Sequence, residues 1–232
     1  MPELAFKRPA HRQVAEVMGA LDASFLDRAH CYFAGGTRIV LELGEYRESR
    51  DVDFMCADRD GYRLLREAVS AESLGPIASG GISLAREVRA DQYGIRTFLD
   101  MDGSKFKFEI LREGRIELEG EEIARIPVPC LTRKHCFAEK FLANADRGLD
   151  ASTLSRDIVD LAFMMQGWPR THALDGLALA ESAYGSSVKR SLAATVAKMQ
   201  EDRAYRNRCV DGLGLEEVKP LTAGIRALGT LL

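Results

Sequence analysis

The chain has 232 residues, of which 46% are hydrophobic and 29% charged, and a formal net charge of −3; this is the composition of a globular protein with room for one large domain or two small ones. No apolar run approaches the ~18 residues that cross a bilayer, and the opening MPELAFKRPAHRQ is too polar for a signal peptide, so a cytoplasmic protein without membrane contact is expected. Five cysteines (Cys31, Cys56, Cys130, Cys136 and Cys209) at irregular spacing fit reduced, buried thiols, and Cys130, His135 and Cys136 lack the spacing of a zinc site.

In chain order, residues 10–29 place Val14, Val17, Met18, Leu21, Phe25 and Leu26 three and four apart, which predicts one amphipathic helix. CYFA should then form a short strand and TRIVLELG a helix closed by Gly44, followed by the polar loop EYRESR. DVDFMC reads as a strand, 60–74 as a helix, and LGPIASGG as a turn. Between 82 and 118 the period changes to two in ISLAREVRA, YGIRTFLDM and KFKFEILR, predicting neighbouring antiparallel strands. Pro127 and Pro129 mark a change of regime. Beyond them a helix should start at Thr132 and run to about Asp146. Another, capped by Ser152 or Ser155, should run through Met165, and two or three more should fill 171–230. The expected class is α+β: a mixed sheet with flanking helices in 1–126, then an all-helical lobe in 127–232 that completes an active-site cleft.

Charge divides unevenly across that boundary. Residues 1–126 carry 18 basic against 23 acidic side chains, and 127–232 carry 14 against 12. The basic stretch Lys189, Arg190, Lys198, Arg203, Arg206 and Arg208 reads first as a solvated helix face and second as an edge for nucleic acid.

Three segments carry chemistry. Gly35 and Gly36, with Thr37 at a helix start, offer unobstructed backbone N–H groups, a hydroxyl and the positive end of a helix dipole, which suits an anion. On the strand that follows, Asp51 and Asp53 share one face by alternation while Val52 and Phe54 point to the core. Two neighbouring anions favour a hard divalent cation such as Mg²⁺ between them. In KFKFEIL, Glu109 is a strand-borne acid beside Lys107. If its strand lies beside that of Asp51 and Asp53, the three carboxylates can hold two Mg²⁺ ions for in-line phosphoryl displacement; otherwise Glu109 simply pairs with Lys107.

The G-G-T, the R-x-S-x-D-x-D of Arg47, Ser49, Asp51 and Asp53, and the later Glu109 resemble the nucleotidyltransferase superfamily related to DNA polymerase β. KFLANADR, with Lys140, Ala143 and Arg147, and SRDIVDL, with Arg156, Asp157 and Asp160, resemble the third and fourth motifs of the AbiEii/AbiGii toxins of type IV toxin–antitoxin systems. The likeness spans about residues 31–165, and Arg38 departs from it, since small or apolar residues are commoner after the G-G-T. The resemblance implies a nucleotidyltransferase that moves an NMP from an NTP to a hydroxyl. Gly35, Gly36, Thr37, Arg47, Ser49, Lys140 and Arg147 would bind the nucleotide, and Asp51, Asp53 and Glu109 the metal, with Asp157 as a further active-site acid. Lys140, Ala143 and Arg147 share one helix face, and an Arg beside a Lys suits a triphosphate. Asp160 fits an interhelix ion-pair network almost as well as a site. The resemblance also implies tRNA or another RNA as acceptor and a separately encoded antitoxin, with a monomer expected. A small-molecule acceptor of the antibiotic type, a protein acceptor, and a nucleotide-binding protein without catalysis are the alternatives.

Overall fold

The computed structural model describes residues 6–78 and 80–232. Residues 1–5, within the polar N-terminal stretch, and Ser79, within the turn expected at 74–81, lie outside the described residues. The chain divides into two compact units. One runs through Leu41 and resumes from Ser49 to Thr132, and the other combines Glu42–Glu48 with Arg133–Leu232.

The first unit opens with α1 (Pro9–Gly19) and α2 (Ala23–Arg28), where the sequence predicts a single helix. The break is local chemistry. Asp22 takes an extended conformation and its carboxylate accepts the Phe25 N–H, while the Asp22 N–H donates to the Ile77 carbonyl. A helix start and a tertiary hydrogen bond thus outcompete the continuous apolar stripe.

Next come β1 (Cys31–Phe33), α3 (Gly35–Glu42), β2 (Val52–Cys56) and α4 (Arg59–Ala68). Then follow β3 (Ser83–Leu84), β4 (Arg89–Ala90), β5 (Gly94–Met101), β6 (Ser104–Arg112), β7 (Gly120–Ile123) and β8 (Ile126–Leu131). They form one mixed sheet in the order β3-β5-β6-β2-β1-β8-β7, with β4 added on β5. β2 and β6 are parallel, as are β1 and β8; β5 and β6 form the antiparallel hairpin that their alternation predicts. ISLAREVRA yields only the two short strands β3 and β4, not one continuous strand.

β8 corrects the reading of IPVPCLT as a mere boundary. Its two prolines cannot donate to a ladder, yet the strand pairs with β1 only at Phe33–Cys130 and with β7 across a register shift. Few donors are demanded of it.

Alternation sets the core. Val52, Phe54 and Cys56 on β2, and Phe106, Phe108 and Ile110 on β6, are buried together with Val14, Val17, Met18, Leu26, Tyr62 and Leu65 from the helices. Phe33, Phe54 and Phe108 meet in sequence at ring separations of 5.6 and 5.9 Å. Each such fully buried ring contributes about 1.5–3 kcal/mol of transfer free energy. The intervening residues, Asp53 and Met55, stay half-buried on the opposite face.

The second unit is helical: α5 (Arg133–Arg147), α6 (Arg156–Gly167), α7 (Arg170–Tyr184), α8 (Ser187–Glu201), α9 (Arg203–Gly212) and α10 (Val218–Gly229). Beyond residue 170 the described chain thus has four helices, one more than the upper expectation. Ser155 occupies the position before α6 but does not cap it. Its hydroxyl donates to the Gly148 carbonyl and lies 2.7 Å from the Tyr205 hydroxyl. The five cysteines are buried thiols outside any disulfide, and no described helix is long and apolar enough to cross a membrane.

Candidate active site

In the first unit the site begins where β1 gives way to α3. The Ala34 N–H donates to the Asp53 carbonyl at 2.8 Å, which ties the start of the turn to β2. Gly35 then takes φ +71°, a left-handed conformation that costs other residues about 1–2 kcal/mol. A Cβ there would stand 2.8 Å from Asp53 Oδ2. Glycine is thus required twice, for the backbone and for the space above the carboxylate.

Thr37 is fully buried, and its hydroxyl lies 2.8 Å from that of Ser49. The Ser49 N–H in turn donates to His11 Nε2 at 3.2 Å. This places His11, a buried residue of α1 outside every motif, behind the Thr37–Ser49 pair. The Thr37 hydroxyl, expected on a phosphate, is committed to Ser49; the backbone N–H groups of the α3 first turn are a separate resource.

The sheet brings Asp53 and Glu109 together. They are register partners on the parallel strands β2 and β6, so their side chains leave the same face. Asp51 stands just before β2 and is half-buried. Glu109 accepts from Lys107 Nζ at 2.5 Å and lies 3.5 Å from Arg96 Nε. Arg96 is its register partner on β5, a neighbour that sequence alone could not assign. Both readings of Glu109 therefore meet in one residue: it stands beside Asp53 and it also pairs with Lys107. The carboxylates are hard oxygen donors of the kind a divalent cation takes, and Gly35 leaves room beside one of them. As the side chains stand, however, no group of three or more His, Cys, Asp or Glu is closed enough to hold a metal among the described residues. Glu109 meets Lys107 through Oε2 and Arg96 through Oε1, so a cation there would share its carboxylate with these two side chains.

The second unit carries a buried ion network. Lys140 Nζ lies 2.9 Å from Asp157 Oδ1 and 2.7 Å from Asp160 Oδ2. Arg147 grips Asp157 through Nε at 2.7 Å and Nη2 at 3.1 Å. Arg47 makes a two-pronged contact with Asp160, at 2.8 and 2.9 Å, and the Tyr46 hydroxyl donates to the same carboxylate at 2.7 Å. Tyr46 also stacks on Phe163 at 3.9 Å. Burial opposes ionisation of both aspartates, but the surrounding cations outweigh it and hold both carboxyls below the usual range. For Lys140 burial likewise works against the charge, and Asp157 and Asp160 reverse it, so its pKa is raised. Of the three cations, Arg147 is the most open to solvent, with 40% of its side chain exposed, and Asp146 also acts on it.

Several residues therefore stand elsewhere than the sequence suggests. Arg47, expected on the nucleotide, is buried and committed to Asp160. Asp160 is the network residue that its ordinary reading described. Arg38, the residue that departs from the family pattern, is buried with its guanidinium 3.1 Å from Glu121. In the basic stretch, Lys189 pairs with Glu181, Arg190 with the Ser186 hydroxyl, and Lys198 and Arg208 lie over the Tyr205 ring. These are local partners of a helix face. Tyr46 and Arg96 join His11 among the residues that sequence reasoning missed; each acts through a partner distant in sequence.

Residues 18–217 match the family described as "Nucleotidyl transferase AbiEii toxin, Type IV TA system". Two solved structures share the fold. A protein from H. pylori assigned to the nucleotidyltransferases is 17% identical with a TM-score of 0.57, the match covering 95% of this chain and 91% of the other. JHP933 from Helicobacter pylori is 17% identical with a TM-score of 0.54, over 98% and 91% of the two chains. No curated protein matches.

Proposed function

The chain belongs to the AbiEii family of nucleotidyltransferase toxins of type IV toxin–antitoxin systems, and on that premise we propose that it transfers an NMP from an NTP to a hydroxyl of RNA, with tRNA as the first acceptor to test. The register pairing of Asp53 with Glu109 beside the Gly35 turn carries this reading. It sets two acids on one sheet face next to the backbone N–H groups of a helix start.

We assign the β- and γ-phosphates to the backbone of Gly35, Gly36 and Thr37, with Ser49 and His11 fixing Thr37 from behind. Asp51, Asp53 and Glu109 are the residues that would hold Mg²⁺, in one or two ions. The metal, when bound, supplies charge neutralisation of the phosphate oxygens and a lowered pKa for a bound hydroxyl. Glu109 is assigned to the attacking hydroxyl, as ligand to the activating metal or as the base that accepts its proton. The new bond forms from that oxygen to the α-phosphorus, the bond from the α-phosphorus to the bridging oxygen breaks, and pyrophosphate leaves with the electron pair. Arg147 is assigned to an anionic group of the substrate, oriented by Asp157; Lys140 holds Asp157 and Asp160 in place, and Arg47 holds Asp160. The family also makes a separately encoded antitoxin the expected partner.

The pairing of Glu109 with Lys107 and Arg96 favours a second reading, in which nucleotide binds without being transferred. One experiment separates the two: incubation with Mg²⁺, each α-labelled NTP and total tRNA, the Asp51→Ala/Asp53→Ala protein in parallel. Label in tRNA with the intact protein only is the expected result. NTP binding without label in any RNA would overturn RNA as the acceptor and leave a different acceptor or the binding reading.

A further inference from the structure

A second charged feature lies in the first unit, apart from the carboxylates. Arg59, Arg63 and Arg66 recur at i, i+4 and i+7 along α4, with Tyr62 between them, and so share one helix face. They line a depression of about 400 Å³ together with Glu67 and Arg112. Arg112, at the end of β6, lies over the Tyr62 ring at 5.9 Å. Arg63 is shared loosely between Asp60 at 3.3 Å and Glu67 at 4.0 Å. Four guanidinium groups against two carboxylates give a positive surface on a chain whose net charge is −3.

Arg112 also belongs to a second depression, of about 670 Å³, lined by Met55, Tyr93, Leu111 and Arg115 among others. Tyr93 is 66% exposed, although its backbone is held on both sides. Its N–H donates to Asp91 Oδ1 at 2.7 Å, and its carbonyl accepts the Arg112 N–H at 2.9 Å. A ring this exposed, on a backbone held at both its N–H and its carbonyl, is accessible for stacking. Arg115 is neutralised by Glu113, so the free positive charge is concentrated on the α4 side.

We propose that the two depressions form one track for single-stranded nucleic acid, its phosphates on Arg59, Arg63, Arg66 and Arg112 and one base stacked on Tyr93. Guanidinium groups match phosphate oxygens two at a time, and sequence-tolerant stacking on an aromatic ring is the other half of single-strand binding. An acidic peptide would use the arginines but has no need of the ring. Met55 and Leu111 are register partners two residues beyond Asp53 and Glu109 on the same sheet face, about 7 Å further along the strands. A strand in the track thus leads toward the carboxylates; that consequence rests on the transfer reading, whereas binding does not.

The test is fluorescence anisotropy of a labelled single-stranded oligoribonucleotide, with EDTA present and NTP omitted so that no transfer occurs, over a range of salt concentrations. Arg59→Ala/Arg66→Ala should weaken binding at least about tenfold and lower the slope of log affinity against log salt by about 1.4, two phosphates at roughly 0.7 each. Tyr93→Ala should cost about tenfold with the slope kept, and Tyr93→Phe should restore it. Lys198→Ala/Arg208→Ala, on the helix face of the second unit, should leave affinity unchanged. These arginines and Tyr93 are exposed, and unchanged thermal unfolding verifies that each variant is folded. Affinity unaffected by the double arginine change, or lost instead with Lys198 and Arg208, overturns the proposal. So does arginine-dependent binding of poly-aspartate tighter than that of RNA, which would make the surface a dock for an acidic protein. RNA binding without transfer leaves the track standing while the catalytic reading falls, and transfer indifferent to the arginines does the reverse.

Discussion

Gly35 shows how much one position can fix. Gly35→Ala would place a methyl 2.8 Å from the Asp53 carboxylate and force φ +71° on a residue with a side chain. The backbone strain alone costs about 1–2 kcal/mol, and the displaced carboxylate would no longer face the α3 turn. Urea denaturation should show that loss, and transfer should fall far more than stability does. Asp160 presents the opposite balance, since its work is structural. Asp160→Asn removes a buried charge that Arg47 and Lys140 both use; removing one member of such a group typically costs about 3–5 kcal/mol. The pH dependence has a definite sign. Asp157 and Asp160 titrate lower in the folded protein than in the unfolded chain, where a carboxyl sits near about 3.9. They therefore stabilise above about pH 4, and that contribution is lost as pH falls toward the folded values. The difference in melting temperature between wild type and Asp160→Asn should be full at neutral pH and shrink in acid.

Between elements, close approach decides. A Cβ on Gly224 of α10 would lie 2.1 Å from the Ala162 carbonyl oxygen of α6, and backbone cannot retreat as a flexible side chain can. Replacing glycine by alanine inside a helix ordinarily gains up to about 1 kcal/mol; here overpacking should reverse the sign and cost about 1–3 kcal/mol or more. Gly229 at the end of the same helix is the control, because its nearest neighbour would be 3.8 Å away. Gly224→Ala should thus lower the thermal midpoint while Gly229→Ala leaves it equal or higher. The break between α1 and α2 and the two prolines of β8 belong to this scale too. In each, a hydrogen bond or a missing donor outweighs the periodicity or the breaker signal that sequence reading relies on.

Across the whole molecule, the chain order and the units do not coincide. Residues 42–48 are enclosed in sequence by the first unit and belong to the second, to which they give Tyr46 on Phe163, Arg47 on Asp160 and Leu43 against Gly167. A fragment of 133–232 lacks all three and retains Asp160 with Lys140 but without Arg47. It should unfold less cooperatively and at lower urea than the intact chain, followed by circular dichroism. A fragment as stable as the full protein would show that the segment contributes nothing.

Sequence by itself determined the mixed class, the alternation that puts Asp53 opposite the core, the β5–β6 hairpin, the helical second half and the glycine turn, because each follows from spacing within a few neighbouring residues. The four short motifs likewise sufficed for the family, since their order along the chain is itself the signal. Only the tertiary structure decided that β2 lies beside β6, that Glu109 meets both Asp53 and Arg96, and that Arg47 pairs with Asp160. The physical reason is that charge does not choose its partner along the sequence. A guanidinium binds whichever carboxylate the fold brings within about 3 Å, and for Arg47 that carboxylate is 113 residues away.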